Sequence, residues 1–339
     1  MEKLRVGLIG AGGFGHIHLN GYTNNKNCQL VAVAAKTYEH AKSASEKFDI
    51  PSIYIKDEWK EMLRKENLDV VSICTPNYLH YPMTNEAIEN NINILCEKPI
   101  CISKDELRSI EEKLAGKNLI YFTSFQKRYN PLIPIIREII NANILGNLIL
   151  ARYYFSHYGP YKSWKAISKE RWFFDSGKAG GGVLIDLGVH CIDLLRYLIG
   201  EYAKIDGMNF QTSCIKMMEE DNCNVLFTFE NGAVGIISVS WCSEPRELIE
   251  IYGTEGYLHL DLHSKKPFNF SPKKLQKNEY IKRALSYKSS KNNYQQALID
   301  HFINCVLKRK QENPDFADGK KAVEFVLDTY SFKNRGYVL

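Results

Sequence analysis

Asp186, His190 and Asp193 recur at i, i+4 and i+7 in the stretch GGGVLIDLGVHCIDLLRYL, residues 180–198. On a helix this spacing puts two carboxylates and an imidazole on one face. Val183, Leu184, Leu187, Ile192, Leu194, Leu195 and Leu198 cover much of the rest, so the helix is expected to be buried. Buried charges are costly unless they are paired or used. The stripe is therefore either a satisfied structural network or an acid/base site.

Two further motifs bear on that choice. Gly10-Ala11-Gly12-Gly13-Phe14-Gly15 matches G-x-G-x-x-G and directly follows a β-like run. Gly10 permits a tight turn, Gly12 lets the backbone approach a pyrophosphate, and Gly15 lets helix pack close on strand. The helix N-terminus then offers free N–H groups and a partial positive charge to phosphates. Further on, Glu97-Lys98-Pro99 closes an apolar run. A lysine at a strand end before proline favours a catalytic role over a simple pair with Glu97.

The elements that must position these groups alternate. Strands are expected at 4–10, 29–35, 68–74, 93–96 and 119–123, and helices at 41–48, 59–65, 81–90 and 103–114, the last with a Ser103/Glu106 capping box. Alternation of this kind indicates a parallel, doubly wound α/β sheet, with ligands beyond the carboxyl ends of its strands. Thr75-Pro76-Asn77 and residues 97–99 lie at that edge. At the end of the second strand a Rossmann domain usually carries an acid for the ribose hydroxyls. Here the chain reads Ala35-Lys36-Thr37. A cation and a hydroxyl suit a 2′-phosphate, which favours NADP; with Lys36 merely solvated, NAD binds through other contacts.

Composition narrows the class. The 339 residues allow two domains, and 45% hydrophobic with 24% charged residues is ordinary for a soluble globular chain. A net charge of +5 is too mild to imply nucleic acid. No apolar run reaches membrane-span length, and MEKLRVGLIG enters a β-like run without a signal-peptide core, which favours the cytoplasm. The nine cysteines include no C-x-x-C and lie mostly in apolar runs, so buried free thiols are expected, with no metal site.

In this order, GAGGFG (10–15), CTPNYLH (74–80), CEKPI (96–100), FQKRYNP (125–131), RW (171–172), GGGVLIDLGVHCIDLL (180–195) and IYGTEGYLHLD (251–261) resemble the Gfo/Idh/MocA oxidoreductases, which include glucose–fructose oxidoreductase and inositol dehydrogenase. The resemblance implies a Rossmann domain, here residues 1–123, followed by an α/β domain, 124–339. That second domain carries a large, mostly antiparallel open sheet whose free face commonly forms a homodimer or homotetramer interface. Strands at 148–156, 203–211, 222–229, 232–241, 247–252 and 257–262 and helices at 294–307 and 319–332 are compatible with it.

The resemblance also implies site residues. Lys98 lies near the nicotinamide and the reacting carbon, and Asp186 with His190 matches the family's D-x-x-x-H pair. A secondary alcohol of a sugar or polyol loses hydride to the cofactor while His190, with an ordinary pKa near ~6.5, takes the hydroxyl proton. Lys98 stabilises developing charge on the same oxygen. Asp186 orients the imidazole or holds a neighbouring hydroxyl. The cofactor set is Gly10, Gly12, Gly13, Phe14, Gly15, Lys36, Thr37, Thr75, Pro76, Asn77, His80, Glu97 and Lys98. Arg128, Tyr158, Trp172 and Asp193 are candidate substrate contacts, each with a structural alternative. His18 and His80 are expected to support the site rather than ligate metal. The basic stretch 265–291 is either a solvated segment or a preference for an anionic sugar. Two other readings stand beside a dehydrogenase: a redox-neutral sugar enzyme with tightly held NAD, and a non-catalytic cofactor-binding sensor.

Overall fold

The computed structural model describes residues 2–162, 172–214, 220–272, 282, 284, 286, 287 and 293–333. Most of the basic 265–291 stretch lies outside the described residues, as does Arg171. The chain divides into two compact units, Met1–Gln126 with Asn293–Lys321, and Lys127–Asn292 with Ala322–Leu339.

In the first unit, apolar runs such as VVSI at 70–73 are buried on both faces, as parallel strands between helical layers must be. The strands β1 (Leu4–Ile9), β2 (Cys28–Ala35), β3 (Ser52–Ile55), β4 (Val70–Ile73), β5 (Asn93–Cys96) and β6 (Tyr121–Thr123) form one parallel sheet. Its order is β3-β2-β1-β4-β5-β6, the doubly wound arrangement expected. The order reverses between β1 and β4, which opens a crevice beyond their carboxyl ends. Helix α1 (Gly13–Thr23) leaves the glycine turn after β1, and helix Tyr294–Lys308 packs against it. Ser103 caps the helix Lys104–Leu114 through the Glu106 N–H at 3.2 Å, while the Glu106 carboxylate reaches back to Ile102 N–H at 2.9 Å. β3 was not anticipated: four half-buried residues after a proline carry too little periodicity to read.

In the second unit, β7 (Leu148–Ser156), β8 (Tyr202–Gln211), β9 (Asn222–Phe229), β10 (Val234–Ser240), β11 (Arg246–Gly253), β12 (Gly256–Asp261) and β13 (Phe268–Pro272) form a sheet ordered β13-β12-β11-β7-β10-β9-β8. Only the β7–β10 pairing is parallel. Period-two alternation decides its faces. Val225, Phe227, Ile237, Ile249, Ile251, Leu258 and Leu260 are buried, while Val234, Tyr252 and Tyr257 stay exposed. Glu230-Asn231-Gly232 forms the β9–β10 hairpin turn, with Gly232 at φ +85.

The helix expected through residues 183–198 is split. Leu184–Gly188 forms a π-helical turn, and a regular α-helix follows over Val189–Ile199. Gly188 tolerates the wider turn because a side chain there would meet Leu184 Cδ1 at 2.5 Å. Single π turns of this kind gather at functional sites. The α-helix packs against β7 and against the apolar helix Leu132–Asn141. Among the described residues, no helix is long and apolar enough to cross a membrane.

Candidate active site

The first unit presents a phosphate-shaped cradle at the end of β1. Gly15 is buried, and a Cβ on it would lie 2.0 Å from the Gly10 carbonyl oxygen, so helix and turn touch backbone to backbone. Gly12 and Gly13 have nothing within 4 Å of where a Cβ would stand. Gly12 caps α1 with no side-chain hydrogen bond to the helix N–H groups, and no acid stands in the first turn. Uncapped N–H groups on open ground suit a dinucleotide's pyrophosphate. Phe14 is 42% exposed beside them. Lys36 is exposed directly after β2, and the Thr37 hydroxyl caps the next helix by accepting from His40 N–H at 3.4 Å.

Beyond β4 and β5 the loops are tied together. His80 places Nδ1 2.7 Å from the Pro99 carbonyl and Nε2 2.7 Å from the Thr75 carbonyl. Burial lowers its pKa, outweighing the two carbonyls that favour a charged ring. Asn77 is buried, and Thr75 and Pro76 are half-buried. Glu97 is 6% exposed and accepts from His18 Nε2 at 2.9 Å. Burial acts to raise its pKa, but the His18 bond and charge, Ser124 and Lys98 outweigh this and hold it below the usual carboxylate range. His18 also meets Ser72 Oγ at 3.1 Å, which in turn bonds Tyr22 at 2.7 Å, and Gln295 closes the group against His18 at 2.8 Å. Lys98, half-buried, follows this anchored glutamate directly.

The second unit holds the other candidates. Asp186 lies in the π turn and His190 in the first turn of the α-helix, exposed by 4% and 5%. Trp241 Nε1 donates to Asp186 Oδ2 at 3.1 Å from the residue after β10. Asp193 is paired with Arg128 through two bonds, Nε–Oδ2 at 2.9 Å and Nη2–Oδ1 at 2.5 Å, both residues buried. The Arg128 guanidinium also sits 4.8 Å from the Tyr197 ring. Tyr158, half-buried, donates to the Glu244 carboxylate. Trp172 lies against Phe173 at 4.4 Å between ring centroids, and Phe173 against Trp241 at 5.5 Å. An aromatic row thus leads from Trp172 to the indole that holds Asp186.

Several residues of this region went unread in the sequence. Trp241 carries no motif of its own and acts through a strand pairing. Glu220, 1% exposed, accepts the Leu184 N–H on its carboxylate at 2.9 Å and the Val183 N–H on its carbonyl at 2.9 Å, so it seats the π turn. Tyr330 donates to the same carboxylate at 2.8 Å. The glycines before the turn are needed for close packing within the unit. A Cβ on Gly182 would lie 2.0 Å from Glu220 O, and one on Gly181 2.2 Å from the Tyr330 hydroxyl. Lys127 donates to the buried Glu247 at 2.6 Å, which also accepts from Tyr153.

Two family models match this chain: an oxidoreductase family with an NAD-binding Rossmann fold over residues 4–125, and the Gfo/Idh/MocA C-terminal domain over 135–259. The chain belongs to the Gfo/Idh/MocA oxidoreductase family. Levoglucosan dehydrogenase of Pseudarthrobacter phenanthrenivorans is 26% identical over 302 residues, covering 76% of this chain and 73% of that protein. D-Glucoside 3-dehydrogenase of Escherichia coli is 28% identical over 266 residues, covering 73% of this chain and 72% of that protein. A solved levoglucosan dehydrogenase in complex with NADH and L-sorbose superposes with a TM-score of 0.86 at 21% identity, covering 98% of this chain and 97% of the other, and so shares its fold. The family's NAD-binding half is thus the unit whose glycine cradle fits a pyrophosphate, with Gly12 and Gly13 open and the N-terminus of α1 uncapped.

Proposed function

We propose that this Gfo/Idh/MocA protein is a dehydrogenase or reductase that interconverts a secondary alcohol and a ketone on a sugar or polyol. The observation that carries the reading is the buried Asp186/His190 set braced by Trp241, in a chain whose other unit holds an open glycine cradle. A purely structural stripe has less need of a carboxylate held in a π turn, four residues ahead of a buried histidine. The bound nicotinamide supplies the hydride acceptor or donor.

The chain's own groups do the rest. In oxidation His190 takes the hydroxyl proton as general base, and in reduction it returns the proton to the same oxygen. Lys98 donates a hydrogen bond to that oxygen and stabilises its developing charge. Asp186, one oxygen held by Trp241, orients the imidazole. Glu97 and His80 keep the Lys98 and Thr75 loops in place. Asp193 and Arg128, being paired with each other, serve the reading as supports of the His190 helix. Tyr158 and Trp172 remain the candidate sugar contacts. Residues 1–123 supply the cofactor side and 124–339 the substrate side.

Lys36 beside Thr37 favours NADP, whereas the solved relative carries NADH. Thermal shifts with NAD and NADP, followed by sugars and polyols in the presence of the better cofactor, test both points. A cytoplasmic homodimer or homotetramer completes the reading. Val234, Tyr252 and Tyr257, exposed by 38%, 36% and 37% on one face of the second sheet, support self-association. Turnover of reduced nicotinamide with a sugar, lost in Lys98→Met and His190→Ala while cofactor binding persists, is the expected result. Full activity in both variants would sink the mechanism.

A further inference from the structure

One cluster in the second unit has no part in the proposed reaction. β8, β9 and β10 are neighbours in the sheet, with Gln211 opposite Asn222 and Asn222 opposite Ser240. Cys214 follows β8, Asp221 precedes β9, and Cys242 follows β10. The three segment ends therefore meet at one end of the sheet. The two Sγ atoms and an Asp221 carboxylate oxygen all lie within 4.8 Å of one another. Tetrahedral zinc, with Zn–S about 2.3 Å, sets two sulfurs about 3.8 Å apart. Side-chain rotation of about 1 Å closes the difference, without moving a strand.

We infer that Cys214, Asp221 and Cys242 form a binding site for one thiophilic divalent cation of the zinc class. Two thiolates and a carboxylate are a soft, anionic donor set that leaves one coordination position for water or the Tyr161 hydroxyl. Tyr161 already lies 3.1 Å from Asp221 Oδ2. The carboxylate is fully buried and pre-oriented. Oδ1 accepts from Ser213 N–H at 2.8 Å and Asn222 Nδ2 at 2.7 Å, and Oδ2 accepts from Cys214 N–H at 2.7 Å. Such outer hydrogen bonds hold metal-binding carboxylates in place.

The electrostatics agree with the geometry. Burial acts to raise the Asp221 pKa, but the Cys214 and Ser213 N–H groups, Cys242 and Tyr161 hold it below the ordinary value. Burial, then Cys214 and Asp221, push the Cys242 thiol well up. A fixed negative charge thus sits beside the Cys214 and Cys242 sulfurs. A divalent cation relieves the same field. On binding, both S–H bonds break, two protons leave to solvent and two metal–sulfur bonds form, with no change of oxidation state.

The site bears on the active region through the backbone. Trp241 N–H donates to the Asp221 carbonyl at 2.8 Å, and the same residue's indole holds Asp186. A second cluster, His301, Cys305 and Glu312, has comparable spacing. There the Glu312 carboxylate is already taken by Lys310 at 2.8 Å and by His301 at 3.0 Å. An ammonium at the carboxylate disfavours a cation, so this cluster serves as the control.

The test is an anaerobic titration of the reduced, chelator-treated full chain with Co²⁺, followed by Zn²⁺. The expected result is thiolate-to-cobalt charge-transfer absorption that saturates at one equivalent and is bleached by zinc. Cys214→Ser and Cys242→Ser each weaken zinc binding by about ten-fold or more, and the double variant abolishes the band, while Cys305→Ser leaves it intact. Zinc raises the melting temperature of the wild type and not of the double variant. No charge-transfer band, a band that survives in the double variant, or a band lost only in Cys305→Ser would overturn the site.

Discussion

The two units hold buried carboxylates in opposite ways. In the first, Glu97 shares its charge among His18, Ser124 and Lys98, groups brought together at strand ends. In the second, Asp193 meets the Arg128 guanidinium through two bonds. A carboxylate with several donors keeps most of them when one is lost. A bidentate pair does not, because removing the arginine strands a buried charge. The proposed mechanism divides the work along the same line, with charge stabilisation by Lys98 and proton transfer by His190.

The largest effect expected is on turnover: His190→Ala lowers kcat by about 10²–10⁴-fold with cofactor affinity kept, read in steady-state kinetics and cofactor titration. Next comes the contrast in stability. Arg128→Ala costs about 3–5 kcal/mol, whereas His18→Ala costs about 1–3 kcal/mol, both read by denaturant unfolding. Equal losses would show that the bidentate pair carries no more stability than the His18–Glu97 bond. Trp241→Phe removes the indole donor to Asp186 and part of a fully buried ring, so a kcat loss of about ten-fold with about 2–4 kcal/mol of destabilisation is expected.

The acid limb of stability sharpens the same contrast. The Glu97 pKa is depressed below its ordinary value of 4.5 when folded, so its contribution is present above that pH and is lost as pH falls through the folded value. Glu97→Gln should flatten the stability–pH slope below that point; an unchanged slope would show that the pairing carries no linked stability. The smallest effect is Ser103→Ala, about 1 kcal/mol for a helix cap remote from both networks.

Legibility in the sequence follows the distance over which a residue acts. The glycine turn, the strand ends at Thr75 and Glu97 and the Ser103 cap were readable because each works within a few residues of its motif. The His18–Glu97 bond was not, since it joins α1 to the end of β5. The Asp186/His190 spacing was visible, but the π turn was not: an α periodicity cannot register one extra residue that Glu220 and Gly188 accommodate from outside the pattern. Asp193 left two readings open, and its partner Arg128 was named without the bond between them.

The sequence alone determined the parallel sheet, the open glycine cradle and the spacing of Asp186 and His190, because periodicity and local backbone chemistry are written in consecutive residues. Tertiary structure alone decided which charges are spoken for and which groups meet. Arg128 found Asp193, Trp241 found Asp186, and Cys214 reached Cys242. Each of these contacts joins segments far apart in the chain, and hydrogen bonds and ion pairs depend on angstrom distances that strand order and register set.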